Sequence, residues 1–206
     1  IMVVGGAEAA LNAVSLTVFG RALSTESDPQ KASLPLNKNR AGFVPAEGAG
    51  ILILKRASHA KKRGAKPIAK FAGYALGADA DTDTAPNEER VTEVLQKAFN
   101  RAGIKQGDRV YVNAHSTATG TGDPVEMKAI RTVMGEENIG NVTVNAPKSL
   151  IGHGIGAAGA TESILTILSL RDGRTFPTAG LNDPIDETSG MVLPRSEGEL
   201  LHEGIE

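Results

Sequence analysis

The segment Val142-Thr143-Val144-Asn145-Ala146-Pro147-Lys148-Ser149-Leu150-Ile151-Gly152-His153-Gly154 joins a strand-like apolar run to a histidine that lies between two glycines. A second segment, Val110-Tyr111-Val112-Asn113-Ala114-His115-Ser116-Thr117-Ala118-Thr119-Gly120, also joins an apolar run to a histidine, which is followed by small residues and a glycine. The β-branched runs predict short strands, and the small residues after them leave room for a ligand to approach the backbone. The two segments therefore predict a pair of active-site imidazoles.

A histidine taken alone has a simpler interpretation as a satisfied structural residue, because a motif by itself is only a hypothesis. Two observations favour an active site over that interpretation. His115 and His153 occupy similar glycine-rich settings, and Lys148 lies five residues before His153. The pair with its lysine is a more specific pattern than either histidine.

Hydrophobic periodicity alternates between strand-like and helix-like segments along the chain. Residues 1–4 and 51–54 are β-branched apolar runs bounded by glycines and predict buried strands. Between them, residues 7–23 have helical spacing, and residues 33–42 contain the proline, asparagines and glycine of a loop.

The second half continues the alternation. The pattern predicts a helix at 58–62, a strand region at 65–77 and a polar loop at 79–86. Three further helices are expected at 88–102, with Asn87 as its cap, at 123–134 and, buried among small residues, at 156–170. This order predicts a mostly parallel sheet covered by helices.

Composition narrows the class of function. The 206-residue chain is 40% hydrophobic, 3% aromatic and carries a net charge of -2, which argues against nonspecific binding of nucleic acid. No apolar run reaches the length of a membrane span. The chain has no cysteine, so disulfides and thiolate metal sites are excluded.

Two charged stretches carry weaker hypotheses. Asp79-Ala80-Asp81-Thr82-Asp83 has spaced carboxylates, but Thr84 and Arg90 stand where an EF-hand requires glycine and glutamate. A solvated loop is favoured there, and we predict no metal site. The cluster Lys61-Lys62-Arg63 is most simply a solvated helix end, although exposed cations near a site mouth would also attract an acidic partner.

The quoted motifs closely resemble the β-ketoacyl-acyl-carrier-protein synthases, and above all the elongating type II enzymes. Besides the two histidine segments, the resemblance includes Gly5-Gly6-Ala7-Glu8-Ala9, Gly42-Phe43-Val44-Pro45-Ala46-Glu47-Gly48-Ala49-Gly50 and His59-Ala60-Lys61-Lys62-Arg63-Gly64-Ala65-Lys66. These motifs occur in the right order over nearly the whole chain. The resemblance implies a thiolase-like layered α/β/α/β/α fold. Residues 1–64 would then end the N-terminal half, and residues 65–206 would form the C-terminal half without its last strands.

The resemblance also assigns the main site residues. His115 and His153 match the histidines that stabilise negative charge on the malonyl thioester oxygen during decarboxylation. Lys148 and Glu162 match a buried lysine and glutamate that fix the field and geometry around the histidines. A surface lysine with a glutamate on a helix face is the alternative for this pair.

Four further positions complete the expected site. Thr117 and Thr119 match threonines that bind the phosphopantetheine arm of acyl carrier protein, and their alternation predicts hydroxyls on one side. Asp123 and Glu126 are expected to organise the helix start and the lysine network, with helix capping as the alternative. Ser116 departs from the usual glycine, so we expect a strained backbone or a narrower channel for the arm.

The resemblance implies an acyltransferase that joins an acyl thioester to malonyl-acyl carrier protein by decarboxylative Claisen condensation in fatty-acid elongation. No cofactor is expected, because the substrate arrives on the carrier protein. The partners implied are acyl carrier protein and a second copy in a homodimer, with the cytoplasm as the expected location. Without the nucleophilic cysteine of such enzymes, the chain alone is predicted to be inactive.

Several alternatives stay open. The chain is read as a fragment, a split subunit or a truncated product, with apolar strands exposed unless another part covers them. A noncatalytic partner similar to a chain-length factor is a second possibility, against which the retained His115, His153 and Lys148 weigh. A polyketide ketosynthase is not distinguished from a fatty-acid enzyme. The two histidine motifs disfavour a thiolase or a hydroxymethylglutaryl synthase.

Overall fold

A computed structural model describes residues 1–80 and 85–195 of the chain. The strands in this part are β1 (Met2–Glu8), β2 (Gly48–Leu54), β3 (Val110–Asn113) and β4 (Val142–Asn145). The α-helices are α1 (Ala13–Phe19), α2 (Ala57–Lys62), α3 (Glu88–Ala102), α4 (Gly122–Met134), α5 (Lys148–Ile151) and α6 (Ala158–Asp172). Short 3₁₀ turns cover Glu136–Asn141, Ile155–Ala157 and Asp186–Thr188.

The strands form two separate two-stranded sheets in the described residues. β3 and β4 are parallel, with Val110 opposite Val142 and Asn113 opposite Asn145. β1 and β2 are antiparallel. The four strands match runs that the sequence predicted as strands, but the prediction of a mostly parallel sheet is wrong for the first pair.

The main core lies between the β3–β4 sheet and helices α3 and α4. It is built from aliphatic and methionine side chains of these elements, with Val110, Met127, Ile130, Val142 and Val144 at its centre. On the other side of the sheet, helix α6 contacts both β3 and the β1–β2 pair. The elements therefore stack as sheet, helix, sheet and helix, which is the layered α/β arrangement that was predicted.

Helix α3 begins and ends where the sequence predicted. The Asn87 side chain accepts a hydrogen bond from the Arg90 amide at 3.2 Å and so satisfies one of the free N–H groups of the first turn. Gly103 ends the helix in the left-handed conformation, with φ of 81°. Helices α4 and α6 also lie within two residues of their predicted limits.

The β1–β2 sheet is exposed on one face, contrary to the prediction of two buried strands. Val3, Ile51 and Ile53 are 65%, 60% and 60% exposed, and they share the face that points away from α6. A single helix layer covers only one side of a sheet, because side chains alternate between its two faces. In this chain the outer face has no covering layer within the described residues.

Two other local predictions are wrong. Residues 65–77 contain no strand, because no adjacent strand within the described residues supplies a ladder. They run beside α3 instead, where the Tyr74 carbonyl accepts a hydrogen bond from the Arg101 guanidinium. The helix expected over residues 7–23 is limited to α1, because residues 7 and 8 belong to β1.

Two paired glycines allow α6 and the 3₁₀ turn before it to approach the first sheet. A Cβ at Gly6 would lie 2.3 Å from the Gly156 carbonyl oxygen, and one at Gly50 would lie 2.9 Å from the Ala160 carbonyl carbon. Gly6 and Gly50 are opposite each other in the β1–β2 register. The small residues thus set the distance between the sheet and the helix.

We predict that Gly6→Ala destabilises the protein by about 1 to 3 kcal/mol, because overpacking a well-packed contact forces the backbone to shift. Urea-induced unfolding measures the change. Gly48→Ala in β2 is the matched control, since a Cβ there meets nothing within 4 Å. Equal stability losses in the two variants would contradict the prediction.

Candidate active site

Both histidines follow strands that end at the same edge of the β3–β4 sheet. The Ala114 amide donates to the Asn145 carbonyl at 2.9 Å, so the parallel ladder continues to the residue before His115. From β4 the chain passes through α5 to Gly152, whose φ of 68° turns the backbone. This is the usual place for a ligand site, beyond the carboxyl ends of parallel strands.

The two imidazole rings meet edge to face. Their centroids are 5.3 Å apart and their planes are inclined by 85°. His153 is fixed on its other side by Phe43, at a centroid distance of 5.2 Å. Its backbone is held by the segment that carries Phe43, since the His153 amide donates to the Val44 carbonyl at 2.7 Å.

Lys148 and Glu162 form a buried ion pair beside the histidines. The Lys148 Nζ lies 2.6 Å from the Glu162 Oε1, and the lysine is 2% exposed. Charge attraction between these two groups is the main interaction at this contact. The structure therefore disagrees with the alternative of a surface lysine and a helix-face glutamate.

Burial and the Lys148 charge both lower the pKa values of the two histidines. Burial, followed by Lys148 and then His115, lowers the pKa of His153 to about 4. For His115 desolvation and then the Lys148 charge lower the pKa and Glu126 opposes the shift; since the residue is exposed, solvent weakens this shift relative to that of His153. His153 is consequently neutral at pH 7 and donates a proton from one ring nitrogen only.

The Glu126 carboxylate accepts hydrogen bonds from two successive backbone amides, those of His115 and Ser116. Its Oε1 accepts from the His115 amide at 2.7 Å, and its Oε2 accepts from the Ser116 amide at 2.8 Å. The Ser116 hydroxyl donates to the same Oε2 at 3.0 Å. Ser116 does not have a positive φ, so the expected backbone strain at this position is wrong.

Asp123 holds the next part of this loop. Its carboxylate accepts from the Leu36 amide at 2.9 Å and from the Thr119 amide at 3.2 Å. Burial raises the pKa of Asp123 to about 6, while the Leu36 amide and the Arg40 charge oppose the shift. Asp123 thus joins two distant segments in addition to its place in the first turn of α4.

Thr117 and Thr119 lie together, as their alternation predicted. Their hydroxyl oxygens are 3.3 Å apart. Arg40 fixes the same loop from outside, because its guanidinium donates to the carbonyls of Thr119 and Gly120, both at 2.8 Å. Their contact with a phosphopantetheine arm stays a prediction.

Sequence reasoning missed Phe43, Arg40 and Asn113 as site residues. Phe43 was part of a quoted motif, and Arg40 fell in a stretch interpreted only as a loop. Asn113 donates to the Glu162 carbonyl at 3.0 Å and to the Thr166 hydroxyl at 2.8 Å. Each contact joins residues far apart in the chain, so local sequence patterns carried no signal for it.

The remaining predictions concern residues outside this cluster. Asp81, Thr82, Asp83 and Thr84 of the acidic loop lie outside the described residues, and no metal-binding group of three or more ligands occurs elsewhere in residues 1–80 and 85–195. Lys61, Lys62 and Arg63 are exposed at the end of α2. None of the helices in the described ranges has the length and apolar character to cross a membrane.

Comparisons with known proteins define the class. Residues 1–60 match the N-terminal domain of β-ketoacyl synthases, and residues 68–182 match the C-terminal domain. The structure superposes on a β-ketoacyl synthase from Burkholderia phymatum with a TM-score of 0.89 at 32% identity, covering 97% of this chain and 48% of that one. The fold is therefore the thiolase-like ketosynthase fold, and the chain belongs to the β-ketoacyl synthase family.

Two further relatives give more detail. The chain is 44% identical over 200 residues to 3-oxoacyl-[acyl-carrier-protein] synthase 2 of Vibrio harveyi, covering 95% of this chain and 48% of the relative. It also superposes, with a TM-score of 0.90 at 32% identity, on the ketosynthase of a type II PKS solved with its acyl-carrier protein, covering 97% and 50% of the two chains. The chain thus spans about half the length of the relatives it matches. These similarities confirm the predicted resemblance.

We predict that Lys148→Ala destabilises the protein by about 3 to 5 kcal/mol, because it leaves Glu162 as an uncompensated buried charge. Removing both side chains should cost less than the sum of the single losses, since residues in contact are coupled. A double-mutant cycle of urea unfolding tests this, and additive losses would show that the ion pair is not an energetic unit.

We also predict that His153 titrates in the folded protein near pH 4, well below its value in the unfolded chain. The native state then binds fewer protons than the unfolded state between about pH 6.5 and 4, so this histidine reduces stability as the pH falls through that window. NMR titration of the His153 ring measures the pKa, with the urea-unfolded protein as reference. Identical titration in both states would refute the shift.

Proposed function

We propose that this chain supplies the two-histidine malonyl site of a β-ketoacyl-acyl-carrier-protein synthase. The complete protein would condense an acyl thioester with malonyl-acyl carrier protein by decarboxylative Claisen condensation in fatty-acid elongation. The observation that carries this proposal is the edge-to-face pair of His115 and His153, 5.3 Å apart beside the buried Lys148–Glu162 ion pair.

The chemistry of decarboxylation explains why two imidazoles are needed. When the malonyl group loses carbon dioxide, its electron pair enters the thioester and negative charge develops on the thioester oxygen. Donors already fixed in position stabilise this charge without reorganising during the reaction. Neutral His153 meets this requirement when its ring proton faces the oxygen, and His115 supplies the second donor.

Lys148 and Glu162 would act on the histidines and not on the substrate. Burial lowers the pKa of both rings and the lysine charge adds to this shift, which keeps them as neutral donors. Glu162 compensates the lysine, since an isolated buried ammonium would be too costly. This arrangement favours fixed hydrogen-bond donation over transfer of a proton from an imidazolium.

Carbon–carbon bond formation also requires an acyl group held as a thioester. The chain contains no cysteine, so in this proposal the nucleophile comes from a part of the complete protein that is not in the chain. Acyl carrier protein would deliver malonate on its phosphopantetheine arm, with Thr117 and Thr119 as the arm's partners. A homodimer and a cytoplasmic location belong to the same proposal.

A polyketide ketosynthase is the second candidate, because the chain resembles the ketosynthase of a type II PKS in structure. Higher identity to a 3-oxoacyl-[acyl-carrier-protein] synthase, 44% against 32%, favours the fatty-acid enzyme. The presence of both histidines with their lysine favours either candidate over a noncatalytic partner.

In the complete protein, we predict that His115→Ala and His153→Ala each slow malonyl decarboxylation by roughly 100- to 1000-fold, the usual cost of one charge-stabilising donor. Release of carbon dioxide measures the rate, and acyl transfer to the cysteine should remain measurable. His59→Ala, on the exposed surface of α2, is the matched control, and the 206-residue chain alone should form no condensation product.

Near-normal carbon dioxide release from a histidine variant would remove that residue from the proposed role. Condensation product from the chain alone, with contaminating enzyme excluded by mass spectrometry, would disprove the need for an external nucleophile.

A further inference from the structure

Ser116 is a buried hydroxyl with a partner in the candidate site. The residue is 1% exposed, and its hydroxyl donates to the Glu126 Oε2 at 3.0 Å. A buried hydroxyl without a hydrogen bond is costly. The contact therefore explains how a serine is accommodated where the resembling enzymes carry glycine.

This hydroxyl completes a three-donor clamp on one carboxylate. The His115 amide binds Oε1, while the Ser116 amide and hydroxyl both bind Oε2. A glycine at position 116 would leave only the two amides. Because hydrogen bonds to a charged acceptor are the stronger ones, the third donor restrains the carboxylate substantially.

The restraint extends to the histidine. Glu126 is on α4, which is anchored in the main core by Met127 and Ile130. The clamp thus ties the His115 backbone to a rigid helix, and the His115 ring makes the edge contact with His153. Catalytic donors need this kind of support, since a displacement of about 1 Å can reduce a rate by about 100-fold.

We propose that Ser116 is a positioning residue, which acts through Glu126 to fix His115 against His153. The inference deepens the proposed function and rests on it for the reaction that is measured. Ser116 itself touches no reacting atom. Its hydroxyl restricts the Glu126 carboxylate to one orientation. In that orientation the carboxylate holds the backbone amide of His115.

Kinetics of malonyl decarboxylation by the complete protein test this role. Ser116→Ala should lower kcat roughly 3- to 30-fold through the lost bond and the looser donor geometry. KM should change by less than about twofold, because the loss affects the transition state and not substrate binding. Ser116→Thr, which keeps a hydroxyl, should recover most of kcat.

A double-mutant cycle tests whether Ser116 acts through Glu126. Glu126→Ala removes both carboxylate acceptors, so Ser116→Ala should have little further effect on kcat in that background. Ser163→Ala is the matched control, because its exposed hydroxyl donates to the Gly159 carbonyl on α6. That variant should retain full activity. Additive effects on kcat, or an unchanged kcat in Ser116→Ala, would overturn the inference.

A crystal structure of Ser116→Ala separates this inference from the proposed function. Displacement of the Glu126 carboxylate and the His115 ring in this variant would support the positioning role. If the unsubstituted protein released no carbon dioxide, that result would reject the proposed function and leave the positioning role in place. Unchanged positions of both groups would overturn the inference, whether or not the protein is active.

Discussion

The parallel pairing of β3 with β4 is the constraint on which the site depends. Their register places Asn113 opposite Asn145, so the two chain segments leave the same edge of the sheet. The core of α3 and α4 side chains fixes that register, because a slip of one residue would turn Val142 and Val144 away from it. His115 and His153 are 38 positions apart in sequence, and this pairing brings their rings into contact.

Electrostatics then decides what the paired rings can do. The buried cation Lys148 lies beside both histidines and is compensated by Glu162 at 2.6 Å. Burial and this cation both oppose protonation of the rings. Near neutral pH the histidines are therefore uncharged donors, and the carboxylate of Glu126 is directed to the backbone of the loop. Uncharged imidazoles fit the oxyanion stabilisation that we propose better than general acid catalysis.

The sequence predicted those parts of the molecule in which local pattern and tertiary structure agree. Helix α3 has its asparagine cap, glycine end and apolar face, and the glycine-rich segments contain the paired histidines. Residues 65–77 show the opposite case, since a strand-like pattern forms a ladder only where another strand is available. Arg40 and Phe43 were missed because their roles depend on carbonyl groups and a ring from the second half of the chain. The hydrogen bond of the Ser116 hydroxyl was missed for a related reason: its acceptor lies on α4.

Helix α6 connects the packing of the fold to the chemistry of the site. Ala160, in its first turn, packs against Gly50 of the first sheet, and two residues later Glu162 pairs with Lys148. The backbone of the same helix is joined to β3 through Asn113. Because protein interiors are close-packed and transmit displacement, a shift of α6 caused by the first sheet would move the Glu162 carboxylate relative to its lysine. The glycines of β1 and β2 therefore matter for the electrostatics of histidines that they do not touch.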